Sequence, residues 1–95
     1  MKLVMIVADA ARLDDLRRDL HALEAPGYSV LPVIEGGGRT GVHSGDRVHP
    51  GALAALFVVA PDGQAAALFD GMVARRDAAG DTVTRLFMLP VERQA

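Results

Sequence analysis

The sequence contains no cysteine and no tryptophan, and aromatic residues make up only 4% of it. Disulfides, thiolate metal sites and a cysteine nucleophile are therefore excluded. With so few rings, a core has to be built from Ala, Val, Leu, Ile and Met. A strong charge bias is also missing. The formal net charge is −2, which argues against nucleic-acid binding driven by phosphate charge. Long hydrophobic runs are absent too: the first, Leu3 to Ala8, is far shorter than a bilayer span and lacks the lead-in and cleavage site of a signal peptide. The expectation is one cytoplasmic domain over residues 1–95, small enough to gain from association with copies of itself.

What is present is an ordered set of periodic segments. Lys2 to Ala8 is continuously apolar and reads as a strand buried on both faces. Asp9 suits a cap. Leu13, Leu16, Leu20 and Leu23 then recur at helical spacing, opposed by Asp14, Asp15, Arg17, Arg18, Asp19 and Glu24, and Pro26-Gly27 closes that helix. Tyr28 to Glu35 reads as a second strand and Ala54 to Ala60 as a third. Asp62 is the expected cap of a second helix, whose apolar stripe is Ala65, Leu68, Phe69, Met72 and Val73 and whose stop is Gly80. Thr82 to Val91 reads as the last strand, followed by a frayed end.

The order βαββαβ predicts an α+β, ferredoxin-like fold: an antiparallel four-stranded sheet with both helices on one face. Strand alternation adds a second expectation. Leu3, Met5 and Val7 point one way and Val4, Ile6 and Ala8 the other. Two helices cover only one face, so the second apolar face needs another cover. Sheet-to-sheet self-association, most simply as a closed ring, supplies it.

Between the second and third strands lies a segment, residues 36–51, without apolar periodicity. It holds Gly36, Gly37, Gly38, Gly41, Gly45 and Gly51, with two arginines and two histidines. Connections in compact domains are normally much shorter, and long ones tend to carry function. Gly36 to Gly38 permits close backbone approach to an anion, and Arg39 adds a fork of donors suited to phosphate or carboxylate. The stretch follows a strand but opens no helix, so it is neither a Walker loop nor a dinucleotide fingerprint. A flexible hairpin tip with a solvated arginine is the plainer reading. His43 and His49, with Asp46 between them, form an incomplete ligand set for a divalent metal, which a ring of copies could complete. Two exposed loop histidines are the alternative. His21 lies on the polar face of the first helix. Ser44 has no nucleophile elbow, and the Asp14-Asp15 carboxylates diverge on a helix surface. A binding protein is expected rather than an enzyme.

Three stretches carry a family resemblance: Lys2-Leu3-Val4; Val33-Ile34-Glu35-Gly36-Gly37-Gly38-Arg39-Thr40-Gly41-Val42-His43; and Leu86-Phe87-Met88-Leu89-Pro90-Val91-Glu92. They resemble the PII signal-transduction proteins of nitrogen regulation, and the segment from Gly41 to Gly51 resembles a short-loop, divergent branch. The resemblance implies a homotrimer of ferredoxin-like subunits. It also implies an effector loop at 36–51 and a small-molecule effector, such as an adenine nucleotide, in the clefts between subunits. The site residues it implies are Gly36, Gly37, Gly38, Arg39 and Thr40 at the loop base, with Gly80 and Arg85 after the second helix. Arg85 stands where a phosphate-binding lysine is expected, and Arg75 to Gly80 holds one glycine where the family's turn is glycine-rich. A membrane transporter or a regulated enzyme is the partner the resemblance suggests. The other reading left open is a metal-binding trimer similar to the divalent-cation-tolerance proteins, using His43 and His49.

Overall fold

The computed structural model describes residues 1–38, 41–43 and 52–95. Its elements in chain order are β1 (Lys2–Asp9), a 3-10 turn (Ala10–Arg12), α1 (Leu13–Ala22), β2 (Ser29–Val33), β3 (Gly36–Gly38), β4 (Gly41–His43), β5 (Leu53–Ala60), α2 (Asp62–Ala78) and β6 (Arg85–Pro90). Four strands form one sheet in the order β2-β5-β1-β6, and β3 and β4 form a separate ribbon. All pairings are antiparallel. This is the α+β, ferredoxin-like arrangement expected from the element order, with the most apolar strands, β1 and β5, at the centre. Pro32 and Pro90 fall on the two edge strands, where a missing N–H is tolerated.

One face of the sheet is closed by the helices. Val4, Ile6 and Ala8 of β1 and Leu56, Val58 and Ala60 of β5 are buried against Leu16 and Leu20 of α1 and Ala65, Leu68 and Met72 of α2. Helical spacing on α1 and α2 and the two-residue period on the strands thus converge on a single core. Gly71 lets the helices meet closely, since a Cβ there would lie 2.8 Å from Leu23 Cδ2.

Among the described residues nothing covers the opposite face. The register sets Leu3 beside Val59 and Leu89, and Met5 beside Phe57 and Phe87. Val59, Phe87, Leu89 and the neighbouring Leu31 are 40–46% exposed. Tyr28, Leu3, Phe57 and Val59 border a hollow of about 420 Å3 on this face.

Local boundaries differ from the sequence expectations in five places. The second strand is Ser29–Val33, shorter at both ends than Tyr28 to Glu35. The first helix ends at Ala22, with Glu24 in the left-handed region at φ 57°, before Pro26 is reached. Part of the long loop, Gly36–Gly38 and Gly41–His43, is a β-ribbon. Asp62 does not cap α2; Pro61 holds that position, and the Asp62 carboxylate instead accepts a hydrogen bond from the Met1 amino group. The last strand begins at Arg85 rather than Thr82, because Thr82 to Thr84 are drawn into a turn by Asp81. Gly80 ends α2 with φ 68°, as expected of a glycine stop. Among the described residues no helix is long and apolar enough to cross a membrane.

Candidate functional site

The sheet has one end at which the chemically distinctive segments gather. β1 finishes there at Asp9, β2 at Val33, β5 starts at Leu53 and β6 starts at Arg85, as the register Asp9↔Leu53, Val33↔Leu53 and Val7↔Arg85 requires. The amide of Ala10 donates to the Ala52 carbonyl and joins the β1 and β5 ends.

The glycine ribbon rises from this end on the β2 side. Gly36 pairs with His43, Gly37 with Val42 and Gly38 with Gly41. Its base sits over Leu53: a Cβ on Gly36 would lie 3.3 Å from Leu53 Cδ1. A side chain there would press on the start of a central strand, which gives a physical reason for glycine at this position. Arg39, Thr40, Asp46 and His49 lie outside the described residues, and of His43 only the backbone position on β4 is described. Among the described residues no three His, Cys, Asp or Glu side chains are grouped to hold a metal ion. His21 is exposed on α1.

The turn between α2 and β6 stands at the opposite edge of the same sheet end. With strands about 4.8 Å apart, the three steps from β2 to β6 place it roughly 14 Å from the β2 edge. Asp81 organises this turn. The amides of Val83 (2.9 Å) and Thr84 (3.0 Å) donate to its Oδ1. Thr84 Oγ1 and Arg12 Nε, the latter at 3.2 Å, donate to its Oδ2. Burial pushes the Asp81 carboxyl up, but the hydrogen bonds from the Thr84 hydroxyl, the two amides and Arg12 outweigh it and hold the group down at about 2. Arg12 also pairs with Asp15 at 2.6 Å, which ties the start of α1 to the turn. Thr84 is buried at 1% exposure, and Arg76 Nη1 donates to its carbonyl. Arg85, exposed, folds Nη1 back onto the carbonyls of Thr82 (2.9 Å), Val83 (3.3 Å) and Thr84 (3.2 Å). It still leaves its positive charge at the sheet end.

A cavity of about 370 Å3 opens beside this turn, lined by Asp9, Ala11, Arg12, Ala79 and Gly80 to Val83. A larger groove of about 520 Å3 runs between α1 and α2, on the far side of the helix layer from the open sheet face. Its arginines are committed to neighbouring carboxylates, Arg18 to Asp15 at 2.8 Å and Arg75 to Asp19 at 3.2 Å, so it is a less suitable ligand site than the sheet end.

Of the residues expected to form a site, the structure therefore brings Gly36 to Gly38, Gly80 and Arg85 to one end of the sheet, at its two edges. Arg12 and Asp81 were not singled out by the sequence reading. The signal for Asp81 was an aspartate two and three residues ahead of Val83 and Thr84, the spacing of a side chain that captures its own backbone amides. Arg12 gave no comparable signal, since its link to Asp81 spans 69 residues.

The family model of nitrogen regulatory protein P-II matches residues 1–94. No curated protein sequence matches the chain. Among solved structures, a DUF3240-family protein from Shewanella baltica is similar with a TM-score of 0.72 at 21% identity, over 99% of this chain and 92% of its own. CPII, a nitrogen regulatory PII-like protein from Thiomonas intermedia solved with ADP, AMP and bicarbonate, is similar with a TM-score of 0.68 at 17% identity, over 93% of this chain and 88% of its own. A second CPII structure, with ADP, AMP and acetate, gives 0.71 at 16% identity over 99% and 88%. At such identities the structural likeness speaks for the fold, and it agrees with the β2-β5-β1-β6 sheet and its single helix layer. The family model, matched along nearly the whole length, goes further: this chain belongs to the nitrogen regulatory protein P-II family.

Proposed function

We propose that residues 1–95 act as one domain of a cytoplasmic, trimeric, non-enzymatic regulator. It binds a small anionic ligand or an adenine nucleotide in the clefts between subunits, and it signals to a partner protein through the 36–51 loop. Membership of the P-II family over residues 1–94 is the observation that carries this reading. Two features of the chain support it. The uncovered apolar sheet face, with Val59, Phe87 and Leu89 exposed, fits a surface shared between copies. The glycine ribbon and the Arg85 turn stand at the same sheet end, where a ligand would meet both. CPII, which has this fold, was solved with ADP, AMP and bicarbonate, and these are the first ligands to try.

In this reading Gly36 to Gly38 offer backbone amides, Arg39 supplies directed donors, Thr40 and Gly80 complete the walls, and Arg85 adds positive potential. Ligand binding at the loop base then controls whether the 36–51 loop engages or releases a transporter or an enzyme.

The test is thermal unfolding of the purified, metal-stripped protein with ATP, ADP, AMP, bicarbonate and zinc. A ligand present at about a hundred times its dissociation constant stabilises by about 2.7 kcal/mol, a shift of several degrees for a domain of this size. A shift with nucleotide or bicarbonate, reduced in Arg39→Ala while the assembly is unchanged, is the expected result. A shift with zinc alone, lost in a His43→Ala, His49→Ala double variant, would replace this reading with a metal-binding one.

A further inference from the structure

The donors around Asp81 form an arrangement that proteins otherwise present to external anions. Two consecutive turn amides converge on one oxygen, and a hydroxyl and a guanidinium on the other, of a single carboxylate, a set suited to a phosphate or carboxylate group. Here the position is filled by the chain's own carboxylate, whose side chain is only 7% exposed. The cavity of about 370 Å3 lies directly beside it, with Arg12, Asp81 and Val83 in its wall, so an external ligand can reach the turn but meets donors already bonded to Asp81.

We propose that Asp81 is an internal anion: its carboxylate occupies the anion position of the α2–β6 turn and excludes phosphate from it, which makes Asp81 a determinant of the ligand's charge. Taken with the function proposed above, on which this consequence rests, the anionic group of the ligand is met on the glycine-ribbon side. Extra phosphates reaching the turn then gain nothing from its donors and meet the repulsion of a fixed carboxylate. The cleft is suited to a small anion or a nucleotide with a short phosphate tail.

An ordinary structural cap would use the same hydrogen bonds, and the experiment separates the two. Pyrophosphate is the probe, because it carries the phosphate chemistry without a base and does not depend on nucleotide recognition. It is titrated into the parent protein, Asp81→Ala and Asp81→Asn. Binding is followed by calorimetry and by the amide resonances of Val83 and Thr84. In the parent these two amides stay unmoved at millimolar pyrophosphate. In Asp81→Ala they shift, and affinity rises roughly tenfold or more as charge-assisted donors are freed. Adding Arg12→Gln to that variant removes the gain. Asp81→Asn keeps an acceptor for the two amides and so holds the turn while removing its charge; it gains less than Asp81→Ala, but measurably. Should Asp81→Ala fail to fold, Asp81→Asn decides alone. Parent amides that respond to pyrophosphate as strongly as those of the variants overturn the proposal. So do folded variants that gain no affinity, which would leave Asp81 a cap and nothing more. A parent that binds no nucleotide would sink the nucleotide reading and leave this result standing.

Discussion

Asp81 couples charge to folding. Its carboxyl, held at about 2 against an ordinary value of 3.8, binds its proton less readily in the folded chain than in the unfolded one. The stability this provides is fully present above pH 4 and is lost as pH falls from about 4 through about 2. The size follows from the shift and is on the order of 2 kcal/mol. Urea unfolding across that window should show the loss in the parent, and Asp81→Asn should flatten it while lowering stability at neutral pH. An equal acid response in both proteins would show that other carboxylates carry it. The exposed pairs of α1, such as Arg17–Asp14 at 3.1 Å and Arg18–Asp15 at 2.8 Å, are expected to add little, as solvated ion pairs generally do.

The ends of the helices show where pattern was readable and where it was not. Gly80 could be identified as a stop because only glycine takes φ 68° without strain; Gly80→Ala should cost about 1 kcal/mol. The end of α1 could not be found the same way, since Glu24 adopts φ 57° without being glycine. It is held there by the Glu24 amide on the His21 carbonyl and the Ala25 amide on that of Leu20. Glu24→Gly should therefore stabilise the chain by about 0.5–1 kcal/mol in thermal unfolding, and a loss would mean that the glutamate side chain makes a contribution of its own. The same contrast runs through the fold. Leu16, Leu20, Leu68 and Met72 announced the core by their spacing, because burial and periodicity are the same fact seen twice. The ribbon of Gly36 to His43 carries almost no side-chain signal, since its pairing is made by backbone alone. Thr82 to Thr84 look like strand residues, and only the side chain of Asp81, pulling on Val83 and Thr84, takes them out of the sheet. For the site, Gly36 to Gly38 and Arg85 were legible from composition and resemblance. Arg12 was not, because its partner lies at the far end of the sequence.

For the molecule as a whole, the open apolar face is the feature on which the proposed assembly rests. Val59 and Phe87 are 42% and 46% exposed, so an aspartate at each can be solvated in a single chain but not in a packed sheet-to-sheet contact. If the proposed trimer forms through this face, Val59→Asp with Phe87→Asp should convert it into monomers in sedimentation velocity, with helical circular dichroism retained. A parent that sediments as a monomer would remove the trimer. The register carries another consequence, for the order in which the fold can form. β1 is central, flanked by β5 and β6, and Lys2 pairs with Pro90. β1 must wait for β6 before both its edges are filled, so contacts of long sequence separation control the folding rate. Until β6 is in place β1 is an apolar strand with an unpaired edge, the segment most in need of protection from aggregation.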